Sequence, residues 1–185
     1  MVHYYSGNVI DIEASSLTRN SYPIEIAVRL GDGTSHDSLI KPIDEWKDWS
    51  HQAQAVHGIT RDELFLKGKN IIEVCQTLNN ICEGQTFFSD GWTWDNMWLN
   101  RLFDASGISK NFDCLPMEYF MPESQIEKWP GLKHAVAQKR KLKAHRALND
   151  VHIIGEAFDK LASAGEIKCT SEFINISQNL HKHVA

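Results

Sequence analysis

Two hydrophobic periods share this chain, and the order in which they occur constrains its fold more than any other feature. In Ile24-Glu25-Ile26-Ala27-Val28-Arg29-Leu30, apolar residues alternate with Glu25, Ala27 and Arg29, the period-two pattern of a half-buried strand. Val9-Ile10-Asp11-Ile12-Glu13 is a shorter apolar strand that carries acids, and Gly31-Asp32-Gly33 predicts a hairpin turn into a third strand near Ser35 to Ile40. These three make an antiparallel meander. The period then changes: Ile71, Ile72, Val74, Cys75, Leu78, Ile81 and Cys82 recur at three and four, one face of an amphipathic helix that Gly84 ends. Thr86-Phe87-Phe88-Ser89 follows as a short buried strand, and beyond a Gly91 turn Trp94, Met97, Trp98, Leu102 and Phe103 share a helix face. Strand, helix, strand, helix in this order implies a parallel crossover. Residues 112–117 suggest an edge strand, and Pro116, Pro122 and Pro130 punctuate a loop region. Ala147 to Leu161 predicts a long helix packing through Leu148, Val151, Ile154 and Phe158. The expected fold class is α/β, a mixed β-sheet flanked by α-helices.

A length of 185 residues allows one compact domain. With no repeat, low-complexity stretch or linker, the expectation is a single domain over 1–185, its motif-bearing core at about 8–162 and a helical or frayed tail at 163–185. Hydrophobic residues at 42% and charged residues at 23% exclude a disordered or fibrous chain. No apolar run reaches the ~18 residues of a membrane span, and Met1-Val2-His3-Tyr4-Tyr5 lacks the regions of an ordinary signal peptide, so the cytoplasm is the expected address. Cys75 and Cys82, seven apart on a helix, would lie roughly 10 Å apart, beyond disulfide reach. These two, with Cys114 and Cys169, read as reduced core thiols. A net charge of −5 argues against coating long nucleic acid by bulk electrostatics and leaves local phosphate binding open.

Asp11 and Glu13 stand at i and i+2 on a strand, so both point to one face while Ile10 and Ile12 point to the other. Two carboxylates there need a cation or a proton, unless they lie past the strand end in water. Asp95 opens a helix just after the Phe87-Phe88 strand, where it is either a helix cap or a ligand-site residue at the carboxyl edge of the sheet. Asp150 falls in the first two turns of the last major helix, and His145 on the loop before it.

Taken together, Asp11-x-Glu13, Asp95 and His145-x-x-x-x-Asp150 resemble the DEDDh (DnaQ-like) 3′→5′ exonuclease family, which includes polymerase proofreading subunits, ribonuclease T and oligoribonuclease. The resemblance runs from Val9 to about Leu161 and takes in Ser21-Tyr22-Pro23-Ile24-Glu25-Ile26 and His57-Gly58-Ile59-Thr60. It implies a ribonuclease H-like fold and a hydrolase that releases nucleoside 5′-monophosphates from single-stranded DNA or RNA 3′ ends or short oligonucleotides. Two divalent cations, Mg²⁺ or Mn²⁺, would lie between Asp11, Glu13, Asp95 and Asp150, with His145 as general base. The chemistry suits these residue types: hard oxygen ligands hold Mg²⁺, and an imidazole takes a proton near neutral pH. The resemblance leaves room for a homodimer and for a polymerase-associated subunit with little activity alone; an aspartyl-nucleophile phosphatase would need Asp where Glu13 stands.

Many relatives carry two threonines and a glycine after the first motif, where this chain has Ala14-Ser15-Ser16-Leu17; the change bears on substrate selectivity. Gly91 stands where relatives carry Asn, and Asp90 beside it is a rival to Asp95 as ligand. Expected substrate contacts are Ala14, Ser15, Ser16, Leu17, His57, Trp92, Lys143 and Arg146. Leu17 would wedge against the terminal base or pack in the core, and His57 would line the site or cap its own turn. Trp92 and Trp94 would stack bases or pack in the core. Between Lys128 and Leu148 there is no acid, while Lys128, Lys133, Lys139, Arg140, Lys141, Lys143 and Arg146 supply seven of nineteen basic residues, either a backbone-binding strip or a solvated loop.

Overall fold

A computed structural model describes residues 7–165. Cys169, the His181-Lys182-His183 segment and the tail from 166 onward lie outside the described residues. Strands β1 (Val9–Ala14), β2 (Pro23–Arg29) and β3 (Ser35–Leu39) form the antiparallel meander. On the other side of β1, β4 (Thr86–Ser89) and β5 (Asp113–Pro116) add as parallel strands, so the sheet runs β3-β2-β1-β4-β5 with β1 at its centre. The helices are α1 (His51–His57), α2 (Arg61–Lys67), α3 (Ile71–Cys82), α4 (Trp92–Ser106), α5 (Glu123–Ile126), α6 (Trp129–Arg140) and α7 (Ala147–Ser163).

The two-residue period of the strands divides the interior into two cores. Ile10, Ile12, Ile24, Ile26 and Val28 face α3 and α4, where Val74, Leu78, Trp98, Leu99 and Leu102 meet them. Val9, Ala27 and Phe88 face the opposite way and pack with Val151, Ile154 and Phe158 of α7 and Val136 of α6. Asp11, Glu13, Glu25 and Arg29 share that second parity of β1 and β2, so the charged residues of the central strands lie under α7.

Side-chain caps set the short connecting helices. The Ser50 hydroxyl accepts from the Ala53 N–H to open α1, and Thr60 accepts from Glu63 to open α2. Gly58, at φ +76°, supplies the left-handed residue that ends α1. The loop region expected around Pro122 and Pro130 instead contains the 12-residue helix α6. Proline stops a helix only from its interior; in the first turn its missing N–H has no partner to lose, and here Pro130 opens the helix. Trp129 and Val136 form its buried side. Over the sheet, α7 passes Gly155, where a Cβ would lie 2.6 Å from Nη1 of Arg29; that guanidinium pairs with Asp159 at 2.8 Å. Cys75, Cys82 and Cys114 are free and buried. Among the described residues, no helix is long and apolar enough to cross a membrane.

Candidate active site

Four segments meet at the carboxyl end of β1. The strand itself presents Asp11 and Glu13, and its ladder with β2 shifts register between Glu13, opposite Glu25, and Ala14, opposite Pro23. Such a bulge bends the strand and turns the run that follows out of the sheet. The first turn of α4 supplies Asp95, the first turn of α7 supplies Asp150, and the loop entering α7 supplies His145.

That loop is fixed at two points. Oδ2 of Asp150 accepts the backbone N–H groups of His145 at 2.7 Å and Arg146 at 3.2 Å, satisfying donors that a helix start leaves unpaired. His145 takes a left-handed backbone with φ +67°. The second point is Glu25, 1% exposed, whose carboxylate accepts from Nη2 of Arg146 at 2.7 Å, from Nε at 3.1 Å and from the Ala147 N–H at 2.9 Å. A fork-to-fork Arg–carboxylate pair fixes direction as well as distance. Glu25 is the residue of the site that sequence reasoning passed over; the available signal was its parity, shared across the β1–β2 pair with Glu13.

One ligand atom each from Glu13, His145 and Asp150 lies within 4.8 Å of the others. With Asp11, Asp90 and Lys133, these residues line a cleft of about 370 Å³. Burial raises the Asp11 carboxyl well above its ordinary range, and the charges of Asp95, Asp150 and Glu13 push the same way. Glu13 is pushed up to about 7 by burial, then by Asp150 and Glu25, with Arg146 opposing. Burial also raises Asp150, against the N–H bond from His145. Carboxylates held this close and partly withdrawn from solvent are favoured to take up protons or a cation. Their hard oxygen donors, with one imidazole beside them, fit a divalent metal.

The rival acids of the second motif occupy different places. Asp95 is buried beside Asp11, its carboxylate accepting from the Ser89 hydroxyl and the Ile12 N–H, and burial raises it to about 8. Asp90 faces the cleft, where Oδ2 accepts from the Trp129 indole N–H at 2.8 Å and from the Lys133 ammonium.

The expected substrate contacts divide as well. Leu17 stands 69% exposed, clear of the core. Lys143 is exposed, and its carbonyl accepts from the Asn149 side chain at 2.8 Å. Ala14 packs in the first core, and the Ser15 and Ser16 hydroxyls both turn to Asp48. Trp92, Arg146 and His57 also face away from the cleft, each for a local reason. The Trp92 indole N–H donates to the Cys114 carbonyl at 2.9 Å, which draws the ring onto the sheet. Arg146 spends its guanidinium on Glu25. His57 is buried against the edge of Trp49, with Nδ1 accepting the Ile59 N–H at 3.0 Å, which is the turn-capping alternative. Trp94 stacks on Trp98 with ring centroids 5.6 Å apart and stays partly exposed, whereas Trp98 is buried. The basic strip falls on α6 and the turn after it.

Solved structures of Escherichia coli exonuclease I share this fold. The zinc-bound form in complex with single-stranded DNA matches with a TM-score of 0.66 at 14% identity, over 85% of this chain and 40% of that one. A complex with a dT13 oligonucleotide gives 0.65 at 14% identity, over 83% and 40%. Another exonuclease I structure gives 0.64 at 15%, over 84% and 40%. The chain thus spans less than half the length of exonuclease I. No protein-family model matches it, and no curated protein does. The mixed five-stranded sheet with flanking helices is the ribonuclease H-like exonuclease fold.

Proposed function

We propose that this chain is a metal-dependent 3′→5′ exonuclease of the DEDDh kind, a single domain releasing nucleoside 5′-monophosphates from single-stranded ends or short oligonucleotides. The observation that carries this reading is the convergence of Glu13, His145 and Asp150 within 4.8 Å, from a strand, a loop and a helix, in the cleft that Asp11 also lines. The likeness to exonuclease I solved with single-stranded DNA and a dT13 oligonucleotide supports a single-stranded substrate.

Asp11, Glu13, Asp95 and Asp150 are the residues to hold two divalent cations, Mg²⁺ or Mn²⁺. When bound, such a pair stabilises the attacking and leaving oxygens of an in-line displacement at phosphorus. The chain's own part is positional and acid–base. Glu25 and Arg146 hold the α7 entry, Asp150 holds the His145 backbone, and the exposed imidazole is left to accept a proton from the attacking water. The new bond is from water oxygen to phosphorus, the bond broken is to the 3′ oxygen, that oxygen takes a proton from solvent water as it leaves, and the imidazolium returns its proton to solvent. Leu17, exposed just past the bulge, would meet the terminal base, and Lys143 a backbone phosphate.

Purified protein given 5′-labelled DNA and RNA oligonucleotides should produce a descending ladder with Mg²⁺ or Mn²⁺, none with EDTA, and no partner should be required. Cuts within a circular single strand would overturn the exonuclease reading. His145→Ala should lower turnover by about 10² to 10⁴ while Mn²⁺ still raises the melting temperature, because the base is lost and the carboxylates remain. Wild-type turnover in that variant would assign the proton to another group.

A further inference from the structure

One group in the cleft has no task in this reading. Lys133 is the single lysine or arginine that lines the cleft among the described residues, brought there by α6. Its ammonium pairs with Oδ2 of Asp90, the oxygen that also accepts the Trp129 indole N–H at 2.8 Å. The lysine is partly buried and Asp90 more so. An ammonium has three N–H donors, and Asp90 engages one. The indole bond fixes Asp90, so the lysine is aimed along the cleft instead of wandering in solvent.

We infer that Lys133, aimed by Asp90 and Trp129, is a phosphate-contacting residue that binds a backbone phosphate of the nucleic-acid substrate at the edge of the acidic cleft. The inference rests on the exonuclease reading for its substrate class. A phosphate entering a cleft walled by Asp11, Glu13 and Asp150 meets repulsion that a resident positive charge relieves. Lys133 is placed to do this, because it lines the same cleft as Asp11, Glu13 and Asp150. It is nonetheless tied to a fifth carboxylate, on the β4–α4 turn, and so leaves the other four to a cation. The alternative is that Lys133 only neutralises Asp90.

The test is anisotropy of a fluorescein-labelled dT oligonucleotide, in Ca²⁺ and over a series of NaCl concentrations. Lys133→Met should bind about 10- to 100-fold more weakly, the worth of one charge-assisted hydrogen bond. The slope of log affinity against log salt should fall in magnitude by about 0.7, the value for one phosphate contact on a single strand. Lys133→Arg should keep most of the affinity. The double variant Asp90→Asn/Lys133→Met removes the unpaired carboxylate and should remain weak. Recovery of wild-type affinity in the double variant, wild-type affinity and slope in Lys133→Met, or no binding by the unaltered protein would each overturn the inference. An unaltered protein that binds with the expected Lys133 dependence, yet never shortens an oligonucleotide in Mg²⁺ or Mn²⁺, would overturn the exonuclease reading and leave the phosphate contact standing.

Discussion

On the side of the sheet that faces α3 and α4, β1 and β2 present Ile10, Ile12, Ile24, Ile26 and Val28; on the side that faces α7, the same two strands present Asp11, Glu13, Glu25 and Arg29. Both sides are covered by helices, but burial acts on them in opposite directions. Apolar surface gains on the first side by leaving water, at about 25 cal/mol per Å². Charge loses on the second side unless it is matched. Two of the four charges are matched, Glu25 by Arg146 and Arg29 by Asp159. Asp11 and Glu13 meet further carboxylates instead. One side therefore stabilises the fold, and the other holds a charge imbalance that a bound cation would relieve.

The largest effect on stability should come from breaking the apolar side. Phe87 is fully buried there and packs edge-on to Phe112 at 5.8 Å. Phe87→Ala should lose about 3–5 kcal/mol in a denaturant titration; a loss below about 1 kcal/mol would mean that this core contributes little. A smaller loss should follow from breaking the matched pair on the charged side. Removing one partner of a fully buried pair costs about 3–5 kcal/mol, but the Arg146 side chain is 42% exposed and water can take over part of its hydration, so Glu25→Ala should lose about 2 kcal/mol. Amide exchange at His145 and Arg146 should speed up in that variant, since their helix entry would lose one of its two anchors.

Removing one of the unmatched acids should have the smallest effect, and of opposite sign. A carboxyl raised on folding, as Glu13 is from 4.5 to about 7, favours the folded state at low pH. That contribution is complete below about 4.5 and lost as pH rises through about 7. In EDTA, stability should therefore fall across this window by on the order of 2 kcal/mol after allowance for solvent screening. Millimolar Mn²⁺ should flatten the decline. Asp11→Asn should raise metal-free stability at pH 8 by about 1 kcal/mol and abolish turnover. A pH-independent denaturation midpoint in EDTA would show that the acids are solvated and not in conflict.

The apolar side is also the more legible one. The alternation Ile24, Ile26, Val28 and the three-and-four spacing from Ile71 to Cys82 state a burial pattern directly, and β2 and α3 follow it. Asp11, Glu13 and Asp150 are legible because an acid set within an apolar pattern is costly to bury unless a cation or a proton comes with it. Glu25 is not, since in a strand facing water on one side it reads as the solvent residue; only the cover provided by α7 makes it buried. Helix α6 is hidden by Pro130, Gly131 and its basic residues, although Trp129, Leu132 and Val136 carry a helical spacing. Arg146 and Trp92 show a different gap. A cation or an indole near a motif is equally suited to substrate and to protein, and only the positions of the Glu25 carboxylate and the Cys114 carbonyl decide.

Gly155 gives the charged side its geometry from a distance. Because no Cβ stands between α7 and Arg29, the helix rests directly on a guanidinium clamped by Asp159, and that contact acts as a fulcrum. Asp150 lies five residues nearer the helix start, about 7.5 Å along the axis, on the arm that reaches over β1. A methyl group at position 155 would meet Nη1, Cδ and Cζ of Arg29 at under 3 Å, so either the guanidinium leaves its place beside Asp159 or the helix lifts from the sheet. The seating of α7 over the charged side thus depends on one missing side chain, at a residue with no chemistry of its own.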